Sequence, residues 1–324
     1  MKTKLFAALC LAVPLQGMAL DSYFIGNSLT WDSQPNGLAA LAQQSGLELN
    51  VGYHIRAGQP LVYTANNPDD ITMTNGYGGY ATALANHAWD VVTIQPYFGP
   101  GSTQATDLAA IDQFIDMTRA GPSTSTAFYI YAGWPAVSSW AWPPQPSDSY
   151  LNSWTYQTAD DPNQPTYQVA KYFDDLYTHA TAQHSDQSIY LIPVGQVLAR
   201  VEEEILAGNI TGFDSVYDFY RDAVHMRYDI GRFIAAVTTY ATLFGQSPVG
   251  LEVPDGFYNV GEWPNETPGF LTIDIALRNQ LEQIAWDVVS SDARTGVVPL
   301  PGALWLLGSG LLGLGALARR RKSY

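Results

Sequence analysis

The sequence has very little cysteine and little positive charge. Its single cysteine, Cys10, lies in an apolar run near the N-terminus, so the rest of the chain has no disulfide, no cysteine nucleophile and no thiolate metal site. Lys and Arg total 15 against 30 Asp and Glu. The formal net charge of −15 becomes −21 for residues 20–318, because the two ends hold six basic residues and no acidic one. Nucleic acid and anionic membrane surfaces repel a protein of this charge. The charge therefore favours a neutral substrate.

The N-terminal segment is predicted to be a secretory signal. Two lysines precede the apolar run 5–15, and small residues follow it. This order is typical of a signal peptide that covers residues 1–19 and is cleaved near Ala19. A short buried helix is the alternative.

The C-terminal segment, 298-VPLPGALWLLGSGLLGLGALARRRKSY-324, combines an uncharged stretch at 302–318 with a basic end. The stretch is near the lower length limit for a transmembrane helix, and the basic cluster would keep the C-terminus in the cytoplasm. The segment resembles the PEP-CTERM (VPLPA-type) sorting tail of Gram-negative bacteria. The resemblance implies export, tethering to the inner membrane, and processing by an exosortase that leaves the protein at the cell surface or outside the cell. A plain tail anchor is the alternative.

Strand-like and helix-like stretches alternate through residues 20–291, and a short linker at 292–297 follows. The predicted strands cover residues 22–26, 47–54, 90–95, 126–133 and 188–194. Strands separated by helices of 10 to 18 residues indicate βαβ units. We therefore predict one α/β domain, a three-layer α/β/α sandwich with a mainly parallel sheet of about five strands.

A Trp- and Pro-rich insertion interrupts this alternation at 133–165, with four tryptophans and six prolines. A long irregular segment in a compact domain is usually functional, and aromatic side chains favour contact over disorder. We predict a lid or a substrate-facing wall, with a packing loop as the alternative. Trp31, Tyr97 and Trp134 are the candidate substrate-binding aromatics.

Ser28 follows the first strand in the sequence 23-YFIGNSLTW-31. In an open α/β sheet, ligands bind at the carboxyl ends of the strands, and the prediction places Ser28 at that edge. A serine there becomes a nucleophile only if a base takes its proton and hydrogen-bond donors hold the oxyanion.

Histidine is the expected base, and the chain has five: His54, His87, His179, His184 and His225. His179 and His184 lie on or just past a predicted helix and are expected to be solvated. His87 ends a helix, and His54, at the end of the second strand, is a weaker candidate. His225 lies in a polar loop before an apolar helix, and Asp222 three residues earlier could fix its tautomer. Alternatively, Asp222 and His225 only cap the helix that begins near Tyr228.

The combination of Gly-x-Ser after the first strand and Asp-x-x-His before a late helix resembles the SGNH (GDSL-like) hydrolase family. The resemblance spans about residues 22 to 240. It implies that Ser28 is the nucleophile, that His225 is the general base and then the acid, and that Asp222 orients His225. The family usually has Asp before the serine, where this chain has Asn27, and Phe-Ile-Gly-Asn-Ser-x-Thr looks like a branch of the family.

The resemblance also implies an oxyanion hole. Its donors would be the Ser28 amide, the Gly58 amide and a side-chain amide after the third strand. The usual Gly-x-Asn is missing there, so Gln95 would have to donate. The alternative is that Gln95 only hydrogen-bonds the backbone.

These observations predict an exported serine esterase that hydrolyses an acyl ester, such as an O-acetyl group on an extracellular polysaccharide. The sequence has no zinc-ligand spacing and no phosphate-loop pattern, so we predict no metal and no cofactor. The alternative is a non-catalytic carbohydrate-binding or matrix protein on a degenerate SGNH fold. No feature of the sequence favours a peptidase.

Overall fold

A computed structural model of the chain describes residues 19–97, 101–137, 149–155, 169–253 and 273–298. Its strands are β1 (Leu20–Gly26), β2 (Leu49–Ile55), β3 (Met73–Thr74), β4 (Val91–Ile94), β5 (Ala127–Tyr131) and β6 (Ser188–Ile192). They form one six-stranded sheet in the order β3-β2-β1-β4-β5-β6. All neighbours pair in parallel except β2 and β3, which are antiparallel.

The helices pack on this sheet and form two groups by their mutual contacts. They are α1 (Ser28–Asp32), α2 (Pro35–Gln44), α3 (Leu61–Asn66), α4 (Tyr80–Asn86), α5 (Gln104–Ala120), α6 (Tyr150–Thr155), α7 (Val169–Gln183), α8 (Val194–Leu206), α9 (Ile230–Phe244) and α10 (Ile275–Ser291). Helices α2, α8 and α10 contact α9, whereas α3, α4 and α7 contact α5. Two turns of 3-10 helix lie at Val216–Phe219 and Ala293–Thr295.

The mixed α/β fold with a mostly parallel sheet confirms the coarse prediction. The five predicted strands correspond to β1, β2, β4, β5 and β6. Every residue of the central strand β4 is buried, as expected for a parallel strand that is covered on both faces. The sixth strand, β3, was not predicted because two residues carry no periodic signal.

The described parts of the insertion 133–165 pack into the core. Trp134, Tyr150 and Trp154 are all buried, and Tyr150 Oη donates a hydrogen bond to Gly195 O at 3.0 Å. These parts therefore do not form an open wall; residues 138–148 and 156–168 lie outside the described residues.

The segment predicted as a linker, 292–297, is packed against the domain. Val297 is buried with Ala241 and Val289, and Arg294 pairs with Asp292. Apolar contact by Val297 and an ion pair between Arg294 and Asp174 of α7 therefore hold the predicted linker against the domain.

The predicted signal peptide and the predicted transmembrane helix at 302–318 fall outside the described residues, apart from Ala19. Among the residues that the structure describes, no helix has both the length and the apolar character needed to cross a membrane.

Glu282 is a buried carboxyl on α10. Its Oε2 accepts a hydrogen bond from Gly250 N at 2.7 Å, and Arg278 Nε lies 3.7 Å from Oε1. Burial raises the pKa of this carboxyl from 4.5 to about 7, although the Gly250 amide and Arg278 act in the opposite direction. Between these two pKa values the unfolded chain binds fewer protons than the folded chain, so stability falls as the pH rises through this range.

We therefore expect Glu282→Gln to raise the free energy of unfolding by about 1–3 kcal/mol at pH 8 and by much less at pH 5. Urea unfolding at the two pH values measures this difference. Glu203→Gln is the matched control, because Glu203 is half-exposed and paired with Arg200. Its effect on the free energy of unfolding should change little with pH. Equal effects of Glu282→Gln on the free energy of unfolding at both pH values would contradict a raised pKa for the Glu282 carboxyl.

Candidate active site

Ser28 is the first residue of α1, directly beyond the carboxyl end of β1. Asn27 caps this short helix, since its Oδ1 accepts a hydrogen bond from Leu29 N at 2.9 Å. The chain can turn here only with glycine at position 26, because a Cβ on Gly26 would lie 2.1 Å from Thr30 Oγ1. The tight turn leaves Ser28 half-buried at the edge of the sheet.

The structure brings the three predicted catalytic residues together. His225 Nε2 lies 2.8 Å from Ser28 Oγ, and His225 Nδ1 lies 2.7 Å from Asp222 Oδ2. With Asp222 ionised, Nδ1 donates to the carboxylate, which leaves Nε2 to accept from the serine hydroxyl. Residues 197 positions apart therefore form one hydrogen-bonded chain.

Asp222 is held by its own turn as well as by the imidazole. Its Oδ1 accepts hydrogen bonds from Val224 N at 2.9 Å and His225 N at 2.8 Å. Burial alone would raise the pKa of this carboxyl, but the hydrogen bonds from the His225 ring and the two amides outweigh it and lower the pKa to about 2. Asp222 is thus ionised at neutral pH. It does not cap α9, whose N-cap is Asp229.

A cavity of about 450 Å³ opens beside Ser28. Its lining residues are Ser28, Trp31, Ala57, Gly58, Arg221, Asp222, His225 and Arg232. Gly58 has a left-handed φ of +68°, a backbone conformation that favours glycine. The predicted oxyanion residue Gly58 and the catalytic residues therefore share one cavity.

Gln95 does not reach this cavity, contrary to its predicted role as an oxyanion donor. Its Nε2 donates to Pro96 O at 2.8 Å, and its Oε1 accepts from Asn27 N at 2.9 Å and Thr30 Oγ1 at 3.1 Å. Gln95 is buried, so these bonds take the place of water. Its amide supports the turn that carries Ser28, and the alternative interpretation of a backbone-bonded residue fits the structure.

The three candidate aromatics have different positions. Trp31 lines the cavity and packs edge-on against Tyr53. Trp134 does not line it: the indole Nε1 donates to Val224 O at 2.6 Å and so supports the loop that carries His225. Tyr97 packs against the hydrophobic core and is not among the lining residues. The assignment of Trp134 to substrate binding is corrected, because its side chain is buried and its Nε1 is bonded within the protein, whereas the role of Tyr97, which is half-buried, stays a prediction.

The other histidines lie away from Ser28. His54 is fully buried in β2, its Nδ1 accepts from Tyr80 N at 3.3 Å, and burial lowers its pKa to about 4. His184 was expected to be solvated but is 6% exposed, because its Nε2 contacts Asp112 Oδ1 at 2.8 Å. His87 is the C-cap of α4, as predicted, and His179 is exposed.

The sequence interpretation missed a buried ion cluster around Asp32, four residues after Ser28. Asp32 Oδ1 accepts hydrogen bonds from Arg221 Nη1 at 3.0 Å and Arg232 Nε at 2.9 Å, and Oδ2 accepts from Met226 N at 2.8 Å. Burial would raise the pKa of Asp32, but the two arginines, His225 and the Met226 amide together lower it. No spacing in the sequence indicates these ion pairs. The location of Arg221 in the loop that carries His225 is the one sequence feature that could have pointed to the cluster.

Among the residues that the structure describes, no group of three or more His, Cys, Asp or Glu side chains could hold a metal ion.

Comparisons with known proteins bear on sorting and on fold. Residues 297–322 match the PEP-CTERM protein-sorting motif, which confirms the predicted sorting tail and indicates an exported protein, recognised by an exosortase-type protease and sorted to the cell surface. No curated protein matches the sequence significantly.

Two solved structures align with the chain. A DUF4886 family protein from Bacteroides uniformis aligns with a TM-score of 0.58 and 16% identity over 85% of this chain and 96% of its own. A putative exported protein from Burkholderia pseudomallei aligns with a TM-score of 0.27 and 16% identity over 53% of this chain and 69% of its own. The chain is thus similar in fold to the DUF4886 family protein and carries a sorting motif of exported proteins.

Proposed function

We propose that this protein is an exported serine esterase with an SGNH-type three-layer α/β/α fold. The observation that carries the proposal is the hydrogen-bonded chain from Ser28 Oγ through His225 to Asp222, with contacts of 2.8 and 2.7 Å. These distances are those of a nucleophile, its base and the group that orients the base. The cavity beside Ser28 provides room for the ester.

In the proposed reaction, Ser28 Oγ attacks the ester carbonyl carbon while His225 Nε2 takes the hydroxyl proton. Asp222 holds Nδ1–H and stabilises the imidazolium. The tetrahedral intermediate collapses, the carbon–oxygen bond to the alcohol breaks, and His225 returns the proton to the departing oxygen. Water then attacks the acyl-enzyme with His225 again as base, which releases the acid and restores the Ser28 hydroxyl.

The proposed oxyanion donors are the backbone amides of Ser28 and Gly58, since the side-chain amide of Gln95 is bonded to Pro96 O. Losing one such donor lowers rates by about 100- to 1000-fold in other enzymes. Two backbone amides form the oxyanion hole of serine proteases, so two donors are sufficient for acyl transfer.

The proposed substrate is an acyl ester outside the cell, such as an O-acetyl group on an extracellular polysaccharide. The sorting motif supports an extracellular substrate, and the charge of −15 favours a neutral one. Trp31 lines the cavity but is only 2% exposed, so it shapes the wall beside Ser28 rather than presenting an open face to a sugar ring.

Asp222→Asn should lower kcat for p-nitrophenyl acetate by about 10²- to 10⁴-fold, because an asparagine can hold the imidazole in the wrong tautomer. Asp112→Asn is the matched control, as it changes the partner of buried His184 in the same way. Equal rates for Asp222→Asn and the wild type would contradict the role of Asp222.

Labelling of the purified protein with a fluorophosphonate tests the proposal against the non-catalytic alternative. We expect one adduct, on Ser28, that is lost in Ser28→Ala and His225→Ala. Retention on an immobilised glycan without any adduct would instead support a carbohydrate-binding protein.

A further inference from the structure

Asp32 joins the helix of the nucleophile to the loop of the base. It is the last residue of α1, which begins at Ser28, and its side chain is fully buried. Its Oδ2 accepts from Met226 N, the amide directly after His225, at 2.8 Å. Its Oδ1 accepts from Arg221 Nη1, at the start of the same loop. One carboxylate therefore holds both ends of the loop that carries His225 against α1.

The loop itself is closed by backbone hydrogen bonds. Arg221 N donates to His225 O at 2.9 Å, and Arg227 N donates to Phe219 O at 2.7 Å. The Arg221 guanidinium also donates to Met226 O. A loop that is rigid internally moves as a unit, so its attachment to Asp32 affects the contact between Ser28 and His225.

We infer that Asp32 is a positioning residue for the proposed reaction: it holds His225 against Ser28, and its negative charge stabilises the imidazolium that forms when Ser28 loses its proton. The inference rests on the proposed function. The electrostatic part is supported by geometry, since Asp32 Oδ2 lies 2.8 Å from the backbone amide of the residue that directly follows His225, which places its charge close to the imidazole.

The charges that face His225 come from three elements. Asp222 and Arg221 lie in its own loop, Asp32 in α1 and Arg232 in α9. Two carboxylates thus balance two guanidinium groups. The phenol of Tyr131, which lies near Asp32 on β5, stays neutral because burial raises its pKa well above the usual value. Removing Asp32 leaves one excess positive charge, whereas removing Arg232 leaves one excess negative charge.

This sign difference defines the experiment. The second-order rate of fluorophosphonate labelling is measured against pH for the full chain and for Asp32→Asn and Arg232→Met. Protonation of the base suppresses labelling on the acid side. The midpoint is the pH at which labelling on the acid side reaches half its maximal rate. We expect Asp32→Asn to lower this midpoint by about 0.5–1 pH unit, because it removes a negative charge near the base, and Arg232→Met to raise it by a similar amount, because it removes a positive one. We also expect the maximal rate of Asp32→Asn to fall at least about 10-fold.

Glu202→Gln is the matched control, since Glu202 is also a buried carboxylate that accepts backbone and side-chain hydrogen bonds, from Val216 N and Ser215 Oγ. It should lower thermal stability without moving the midpoint. If Asp32→Asn does not fold, the same labelling profiles are measured for Arg232→Met and Arg221→Met. Both variants should raise the acid-side midpoint.

The outcomes separate this inference from the proposed function. Labelling of wild-type Ser28 with midpoints that are unchanged in the variants would mean that Asp32 has only a structural role, and would overturn the inference alone. Failure of the wild type to label Ser28 would overturn both.

Discussion

Replacing Ser28 by alanine is expected to lower kcat for p-nitrophenyl acetate by about 10⁴- to 10⁶-fold. The variant keeps the cavity, the Gly58 amide and the His225–Asp222 pair, but no oxygen remains to form the acyl-enzyme. The residual rate would come from binding and from the oxyanion donors. Steady-state kinetics on the purified variant, with circular dichroism to show that it is folded, measures the effect.

Ser33→Ala is the control for this experiment. Ser33 lies five residues further along the chain, and its buried hydroxyl donates to Thr30 O at 2.7 Å rather than lining the cavity. A loss of stability without a large loss of rate is expected. Equal rates for Ser28→Ala and Ser33→Ala would exclude Ser28 as the nucleophile.

His225→Ala should produce a loss of similar size, because Ser28 without a base is a weak nucleophile. The double variant Ser28→Ala/His225→Ala should be no slower than either single variant, since the two groups act as one unit. The measurement is kcat for all four proteins of the double-mutant cycle.

His184→Ala is the matched control for His225. Like His225, His184 contacts a carboxylate, Asp112 Oδ1 at 2.8 Å, but it does not line the cavity beside Ser28. We expect His184→Ala to lower stability and to retain activity. Additive losses in the Ser28/His225 cycle would mean that the two residues act independently, and would contradict the activation of Ser28 by His225.

Much of the fold could be predicted from the sequence because its signals are local. Apolar runs ending at Gly26 and around 90–95 identify buried strands, and the helical spacing between them indicates parallel connections. The position of Ser28 followed from the rule that parallel strands end at one edge of the sheet. The partnership with His225 came from the family resemblance and a spacing of three residues to Asp222.

The supporting interactions could not be predicted, because they depend on which distant residues meet. Asp32 pairs with Arg232 across 200 positions, and no pattern in either helix signals the contact. Gln95 is chemically able to donate to an oxyanion, but its Nε2 donates to Pro96 O instead, and its carbonyl oxygen accepts from Asn27 N in the buried turn. Likewise, Trp134 supports the His225 loop through Val224 O, where aromatic composition alone suggested a substrate surface.

The most direct test of the central claim, that His225 activates Ser28, is to trap the acyl-enzyme. The protein is mixed with p-nitrophenyl acetate, quenched in acid within the first turnover and digested, and the peptides are analysed by mass spectrometry. We expect one acetyl group on the peptide that contains Ser28 in the wild type and in His184→Ala, and none in His225→Ala. Acetylation of Ser28 that is equally fast without His225, or hydrolysis with no acetyl group on Ser28 at any time, would contradict this claim.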